Sequence, residues 1–197
     1  MVHLETNYSI EKELVDTHCH LYLDEFASDL QQVLDRAEKA GIRRIYMPAI
    51  DGNHQEKLLA LRKTYVGRCY SMLGLHPCYV NADYKTELNR IEESVEEDQY
   101  VAIGEIGLDY YWSREFDKEQ MIAFREQIAL ARAYTLPIVI HSRNSMDDCL
   151  QVVREEKAKG ISGIFHCFSG TYENAMDIIE CGMVLGIGGV ITYKNAG

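Results

Sequence analysis

Two histidines separated by a single residue, His18 and His20, directly follow a short apolar run near the start of the chain. Because side chains alternate along an extended backbone, both imidazoles are expected to point the same way, together with Asp16. Two imidazoles on one face, two residues apart, suit a single borderline metal ion such as Zn²⁺. The alternative for so short a pattern is a pair of hydrogen-bonded histidines at the end of a strand.

The same pairing of a short apolar run with a histidine recurs further along the chain. His76, His141 and His166 each come directly after such a run, so five of the seven histidines share this placement. Histidines placed by chance would not collect at the ends of successive strands. The repetition favours a common metal site over separate core histidines that are satisfied by hydrogen bonds.

A buried carboxylate is the second group that this chemistry needs. Glu105 ends another apolar run, between Gly104 and Gly107, where an unpaired charge would be costly. A carboxylate can bridge two metal ions, which an imidazole ordinarily cannot. Glu105 is therefore a candidate catalytic and metal-binding residue, and an ion pair with an arginine is the alternative.

Cationic and aromatic side chains lie close in sequence to these candidates. Arg143 follows His141 by two residues, and its planar guanidinium could grip a phosphate as a second catalytic residue. An ordinary surface arginine fits the pattern equally well. Three consecutive aromatic residues, Tyr110, Tyr111 and Trp112, could stack on a nucleobase or simply pack across the rim of the fold.

The elements that bring these residues together are indicated by alternating apolar runs and amphipathic segments. Seven short apolar runs are typical of strands buried on both faces, and they cover residues 14–17, 44–49, 71–75, 101–106, 137–140, 162–165 and 183–187. Helical periodicity is clearest over residues 29–40, 116–134 and 172–181. This alternation predicts parallel strands in an α/β fold, a TIM-type (β/α)8 barrel, whose active sites lie where the strands end.

The chain is short for a complete barrel of this type. Such a barrel has eight strands and about 250 residues, whereas this sequence has 197 residues and seven apolar runs. We therefore expect residues 1–197 to form a single hydrolase barrel domain, truncated after the seventh strand and lacking the eighth βα unit. The first and seventh strands would then have bare edges, which could pair in a homodimer.

Composition limits the partners that the chain can attract. The formal net charge is −11, so there is no long-range attraction to nucleic acid or to an anionic membrane surface. A phosphate-bearing substrate must be held locally, by metal ions and a few basic side chains. The six cysteines include no C-x-x-C pair, and no stretch approaches the roughly 20 apolar residues of a membrane span. We therefore expect reduced thiols, no membrane partner and a cytoplasmic location.

Taken together, the motifs resemble those of the TatD family of metal-dependent deoxyribonucleases, which are amidohydrolase-like barrel enzymes. The matching motifs, in order, are Asp16-Thr17-His18-Cys19-His20, Gly74-Leu75-His76-Pro77, Gly104-Glu105-Ile106-Gly107-Leu108-Asp109, Pro137-Ile138-Val139-Ile140-His141-Ser142-Arg143 and His166-Cys167-Phe168-Ser169-Gly170. The resemblance implies two divalent metal ions, bridged by Glu105 and held by His18, His20, Glu105, His141 and His166. It further implies that a water activated by the two ions hydrolyses phosphodiester bonds of DNA, from a single-stranded end.

One residue of the family pattern has no counterpart in this sequence. The family has a further metal-binding aspartate at the end of an eighth strand, and neither Asp16 nor Asp109 matches it. Imidazole-rich ligation suits Zn²⁺ or Mn²⁺, while the resemblance also allows Mg²⁺. Two other functions stay open. One is hydrolysis of a small amide, ester or lactone, which the acidic charge favours, and the other is a truncated, non-catalytic remnant that binds metal or nucleic acid.

Overall fold

The computed structural model describes residues 13–195, in which seven β-strands alternate with six α-helices. The strands are β1 (Leu14–Asp16), β2 (Ile42–Met47), β3 (Cys69–Ser71), β4 (Ile103–Asp109), β5 (Ile138–Arg143), β6 (Gly163–Phe165) and β7 (Val184–Leu185). The helices are α1 (Leu30–Lys39), α2 (Gly52–Thr64), α3 (Tyr84–Glu97), α4 (Asp117–Ala133), α5 (Met146–Lys157) and α6 (Tyr172–Glu180). This order confirms the predicted α/β alternation, and α1, α4 and α6 lie within their predicted ranges.

All paired strands are parallel, and they follow one another around the sheet in sequence order. Strands β1-β2-β3 form one ladder and β4-β5-β6-β7 form another. An isolated parallel bridge between Leu73 and Ile103 joins the two. This is the order of strands in the wall of a (β/α) barrel, and it brings the carboxyl ends of the strands to one rim.

The two outer strands have one partner each. Within residues 13–195, β1 pairs only with β2, and β7 pairs only with β6. Leu14 and Val184 on these strands are 49% and 58% exposed. Within this described part of the chain, each outer strand therefore presents apolar surface and one edge without a strand partner, and pairing of these edges between two copies of the chain stays a prediction.

The main hydrophobic core surrounds β4. All seven residues of this strand are buried, as expected of a central parallel strand that is covered on both faces. Phe124 and Ile128 of α4, with Val152 and Val153 of α5, are fully buried in the same cluster. A second cluster packs α1 and α2 against β2 and β3. The helices thus hold both parts of the sheet from outside.

Two buried glutamines of α4 tie this helix to the backbone of the rim. Gln127 accepts a hydrogen bond from the Leu75 N–H at 2.7 Å and donates to the Leu75 carbonyl at 3.2 Å. Gln120 makes the same pair of bonds with the backbone of Asp109, at 2.9 and 3.2 Å. Because buried amides need hydrogen-bond partners, these side chains fix the backbone immediately before His76 and at the end of β4.

Several predicted strand boundaries are wrong, and three of the differences affect the candidate site. β4 continues to Asp109, so Glu105 lies inside the strand rather than at its end. β5 includes Arg143 as its last residue instead of ending before it. β3 ends at Ser71, so His76 belongs to the connection that follows this strand. Hydrogen bonds to neighbouring strands, which a single apolar run does not reveal, set these ends.

The pairing between β4 and β5 is irregular at the position of Glu105. Its register shifts between Gly104 and Ile106, and bulges of this kind re-aim side chains beside active sites. Gly107 lies opposite His141 with a φ of 135°, and a Cβ at this position would fall 2.0 Å from the His141 carbonyl oxygen. Only glycine fits where β5 passes so close to β4.

No helix within residues 13–195 has both the length and the apolar character that a membrane span requires. The 17-residue helix α4 buries Phe124 and Ile128 in the core and carries the charged residues Arg125 and Glu126 between them. Its apolar stripe is therefore used inside the fold.

We predict that Gly107→Ala destabilises the protein by at least about 3 kcal/mol, because the added methyl group meets the His141 carbonyl and the φ value strains any other residue. Urea unfolding followed by circular dichroism measures the change. Gly160→Ala is the matched control, since φ is also positive there but a Cβ meets nothing within 4 Å. We expect it to cost about 1 kcal/mol, and equal losses in both variants would contradict the steric argument.

Candidate metal centre

The buried carboxylate of Glu105 lies at the centre of a cluster of imidazoles. Its Oε2 atom lies 3.2 Å from His18 Nε2, 3.7 Å from His20 Nε2 and 3.8 Å from His76 Nε2. Its Oε1 atom lies 3.3 Å from His141 Nδ1. The two oxygens of one carboxylate thus face different histidines, which come from separate parts of the sheet wall.

His18 and His20 reach Glu105 from the segment that follows β1. As the spacing predicts, their imidazoles converge, and the two Nε2 atoms are 3.2 Å apart. The ring of His166 stacks on that of His18, with centroids 3.3 Å apart and planes inclined by 12°. The Asp16 carboxylate accepts a hydrogen bond from the His18 N–H at 3.1 Å, and the expectation that it points inward with the two imidazoles stays a prediction.

The hydrogen bond to the outer nitrogen of His20 directs the lone pair of its inner nitrogen toward the cluster. The buried Tyr22 hydroxyl donates to the Pro48 carbonyl at 2.7 Å, so it accepts from Nδ1 of His20, which lies 3.0 Å away. The proton of the neutral imidazole therefore lies on Nδ1, and the lone pair of Nε2 faces Glu105. Metal-binding histidines are oriented by hydrogen bonds of this kind to the outer nitrogen.

In His76, the proton and the lone pair lie on the opposite nitrogens from those in His20. Its imidazole caps the 3-10 turn Pro77–Tyr79, and Nδ1 accepts a hydrogen bond from the Cys78 N–H at 3.1 Å. Burial lowers the pKa of His76 to about 4, so the ring is neutral at pH 7. The single proton of the ring therefore lies on Nε2, the atom that faces Glu105. His76 presents a hydrogen-bond donor to the cluster and not a lone pair.

His141 is held between two carboxylates. Its Nδ1 faces Glu105, and its Nε2 lies 2.8 Å from Oδ2 of the buried Asp109. Burial alone would lower the pKa of His141, but hydrogen bonds and charge from Glu105 and Asp109 raise it above its usual value. A carboxylate behind the outer nitrogen orients an imidazole and makes it a stronger ligand.

The protonation states of Glu105 and His166 also suit a bound cation. Burial disfavours ionisation of Glu105, but hydrogen bonds from neighbouring imidazoles, first among them His141, hold the pKa of this carboxyl well below its usual range. Burial lowers the pKa of His166 to about 4, which keeps the ring neutral at pH 7. Carboxylates that are ionised and imidazoles that are neutral are the forms that bind metal.

The inner atoms of the cluster have the spacing of metal ligands. Nε2 of His18, Nε2 of His20 and Oε2 of Glu105 form a triangle with edges of 3.2, 3.2 and 3.7 Å. Tetrahedral zinc, with bonds of about 2.0–2.1 Å, places neighbouring ligand atoms roughly 3.3 Å apart. Ligand atoms of His18, Glu105 and His166 all lie within 4.8 Å of one another. The buried Nδ1 of His18 has no hydrogen-bond partner among residues 13–195. Mixed imidazole and carboxylate donors therefore fit a divalent cation here.

A second group of potential ligands, formed by His76, Cys78 and His141, suits a cation less well. Its ligand atoms also lie within 4.8 Å of one another. However, the Nδ1 atom of His76 is occupied by the Cys78 N–H. Burial and the neighbouring Asp109 raise the pKa of the Cys78 thiol to about 12, so the thiolate that a metal requires is disfavoured. The cluster around Glu105 is the better candidate.

Arg143 lies beside the cluster and not within it. Its exposed guanidinium stacks on Tyr111, with Cζ 3.8 Å from the centroid of the ring. Together with His141 and His166, Arg143 lines a cleft of about 700 Å³. A substrate bound in this cleft would contact both Arg143 and the imidazoles.

The structure brings together all the residues that the sequence marks as metal ligands, namely His18, His20, Glu105, His141 and His166. Three further residues shape the site: His76, which the sequence places among the histidines of a common metal site without identifying it as a ligand, and Asp109 and Tyr22, to which the sequence gives no role. Asp109 and His76 lie inside matched motifs, so their position was available from sequence but their contacts were not. Tyr22 follows His20 by two residues, and this spacing was the one feature of the sequence that could have identified it.

We predict that Tyr22→Phe weakens Zn²⁺ binding about 10-fold, because it removes the oxygen that holds the Nδ1 proton of His20. Competition with a chromophoric chelator measures the affinity. Tyr70→Phe is the matched control, because the Tyr70 hydroxyl donates to the Gly67 carbonyl outside the cluster, and we expect no change. If folded Tyr22→Phe binds Zn²⁺ as tightly as the unaltered protein, the hydroxyl does not control the tautomer of His20.

The sequence of this chain is similar to those of known proteins. A model described as TatD related DNase matches residues 15–197. The uncharacterized metal-dependent hydrolase YabD of Bacillus subtilis strain 168 is 36% identical over 183 residues, which cover 93% of this chain and 71% of that protein. The 3'-5' ssDNA/RNA exonuclease TatD of Pantoea sp. strain At-9b is 29% identical over 184 residues, which cover 93% of this chain and 71% of that protein.

A solved structure shares the fold as well. The crystal structure of YjjV, a TatD homologue from Escherichia coli K12, matches with a TM-score of 0.86 and 32% identity, covering 95% of this chain and 73% of that one. This match confirms the barrel class that the alternating pattern predicts. The chain therefore belongs to the TatD related DNase family of metal-dependent hydrolases.

Proposed function

We propose that this protein hydrolyses phosphodiester bonds of DNA from a single-stranded end, at a site that holds two divalent cations. The observation that carries the proposal is the position of Glu105. One carboxylate oxygen faces His18 and His20, and the other faces His141. A carboxylate placed in this way can bridge two cations, and two-cation sites are common among nucleases and phosphatases. The name of the Pantoea relative, a single-strand exonuclease, supports the choice of bond.

Each half of the cluster would hold one cation. His18, His20 and one oxygen of Glu105 would form the first set, and His141 and the other oxygen would begin the second. We assign His166 to the second set because it lines the cleft with His141, although its ring stacks on that of His18. Imidazole donors favour Zn²⁺ or Mn²⁺, whereas Mg²⁺ keeps several water ligands and needs fewer donors from the protein. When bound, such cations lower the pKa of a coordinated water and offset the charge of the phosphate.

Residues around the cations would bind and orient the phosphate. Arg143 lies at the edge of the cleft, where its guanidinium can make two parallel hydrogen bonds to phosphate oxygens. Stacking on Tyr111 holds the plane of that guanidinium. The Nε2–H group of His76 points into the cluster and can donate to an oxygen on which negative charge grows during the reaction. Asp109 positions His141 from behind.

Cleavage assays on the full chain test the proposal. We expect nucleotide release from a labelled single-stranded oligonucleotide in Mn²⁺, Mg²⁺ or Zn²⁺, slower cleavage of the matching duplex, and no cleavage in EDTA. Glu105→Gln keeps the size of the side chain but removes its charge, and should lower both metal content and kcat, the latter at least about 100-fold. Glu93→Gln alters an exposed glutamate of α3 and is the matched control that should change neither.

Hydrolysis of a small amide, ester or lactone at the same cations is the second candidate function. The net charge of −11 favours it, because an acidic protein gains no long-range attraction to DNA. A panel of such compounds, assayed with the same cations, distinguishes the two. Metal-dependent turnover of one of them without cleavage of DNA would contradict the nuclease proposal. Tight cation binding without any hydrolysis would instead indicate a non-catalytic binding protein.

We predict that His76 can be replaced without loss of metal but not without loss of rate. His76→Asn can still cap the Cys78 N–H, yet it has no donor at the position of Nε2, and we expect kcat to fall about 100-fold. His76→Gln places an amide N–H near that position and should recover part of the rate. Elemental analysis should show unchanged metal in both variants. If both instead lose metal, His76 is a ligand and the deduced tautomer is wrong.

A further inference from the structure

The three consecutive aromatic residues that follow β4 have different environments. Tyr110 is half-buried, packs against the main core and donates a hydrogen bond from its hydroxyl to Asp148 Oδ2 at 2.7 Å. Tyr111 and Trp112 are 53% and 69% exposed. Packing across the rim therefore accounts for Tyr110, whereas the other two rings leave large apolar faces in solvent.

The backbone of these two exposed residues is tied to the candidate metal centre. Oδ1 of Asp109 accepts hydrogen bonds from the N–H groups of Tyr111, at 2.9 Å, and Trp112, at 3.2 Å. The other oxygen of the same carboxylate, Oδ2, lies 2.8 Å from His141 Nε2. Asp109 is itself buried. The buried Asp109 side chain therefore fixes the backbone of Tyr111 and Trp112 relative to His141, which is a proposed cation ligand.

A cationic side chain lies against the same rings. The Cζ atom of Arg143 is 3.8 Å from the ring centroid of Tyr111 and 5.3 Å from that of Trp112. The two rings meet edge to face, with centroids 4.9 Å apart. Arg143 also lines the cleft beside His141, although the chain as a whole is strongly acidic. Aromatic faces next to an arginine are the combination with which proteins bind single-stranded nucleic acid.

We infer that Trp112 and Tyr111 form a stacking site for one unpaired nucleobase whose phosphate contacts Arg143 in the cleft. The inference rests on the proposed function, because it names the form of DNA that the same site accepts. A base inside a duplex has both faces covered by neighbouring pairs, whereas an unpaired base can turn a face toward an indole ring. Stacking on Trp112 therefore selects single-stranded ends.

Trp112 makes the inference directly measurable, because it is the only tryptophan in the sequence. Phosphorothioate oligonucleotides resist hydrolysis, so they can be titrated into the metal-loaded full chain while tryptophan emission is followed. We expect oligothymidylate to quench the emission. An abasic oligonucleotide of the same length should bind about 10-fold more weakly and without quenching. Equal affinity for the two, with no quenching by either, would overturn the stacking site.

Substitutions separate stacking from a general effect on the fold. Trp112→Ala should weaken binding of a labelled oligothymidylate about 10-fold by fluorescence anisotropy, whereas Trp112→Phe keeps a ring and should lose less. Tyr134→Ala is the matched control, because it removes a 38% exposed aromatic ring just after the end of α4, and it should bind normally.

The outcomes also distinguish the stacking site from the nuclease activity. If folded Trp112→Ala binds the oligonucleotide as tightly as the unaltered protein, and the unaltered protein still cleaves DNA, then the stacking site is wrong and the proposed function stands. If the unaltered protein neither binds nor cleaves any oligonucleotide, both are wrong.

Discussion

The candidate site depends on keeping one charged carboxylate inside the protein. Glu105 is 3% exposed, and an isolated carboxylate in such surroundings costs several kcal/mol unless other groups compensate its charge. The irregular pairing of β4 with β5 aims this side chain at the cluster, and the close approach at Gly107 brings His141 to it. His20 faces the carboxylate with a lone pair, so a further positive charge is needed to balance the centre. Hydrogen bonds from the imidazoles compensate part of the charge of Glu105, and a cation held at this cluster would supply the rest.

Polar groups inside the core connect the packing of the fold to the geometry of the site. Gln120 and Gln127 are seven residues apart on α4, about two helical turns, so both side chains leave the same face of the helix. One amide holds the backbone beside His76, and the other holds that of Asp109. Leaving a buried amide unpaired costs about 1–3 kcal/mol. The placement of α4 that buries Phe124 therefore also fixes His76 and Asp109, which contact the cluster. The site is thus supported by the rigid core of the structure.

The sequence predicts which residues meet but not how their hydrogen bonds direct them. Parallel strands end at one rim, so histidines that follow successive apolar runs converge, and helical periodicity identifies α1, α4 and α6. The protonated nitrogen of His20 depends on Tyr22 and on the distant Pro48 carbonyl, a contact between residues 26 positions apart. The tautomer of His76 depends on a turn that no periodic pattern marks. Likewise, a bulge is a property of two strands, so Glu105 was expected at the end of β4 although it lies within the strand.

An acidic chain can accept a nucleic-acid substrate when it contacts only a few phosphates. Screening limits surface charges to a range of about 8 Å at physiological ionic strength, so most of the net charge of −11 acts weakly inside the cleft. There, two divalent cations and Arg143 would outweigh the carboxylates of Glu105 and Asp109. Electrostatic affinity for DNA grows with the number of phosphates that a protein contacts. A protein that contacts few phosphates gains little electrostatic affinity from a long strand. It must instead hold its substrate by interactions with the end of the strand. Base stacking does not depend on net charge, and the stacking site proposed on Trp112 would provide such a contact beside the metal centre.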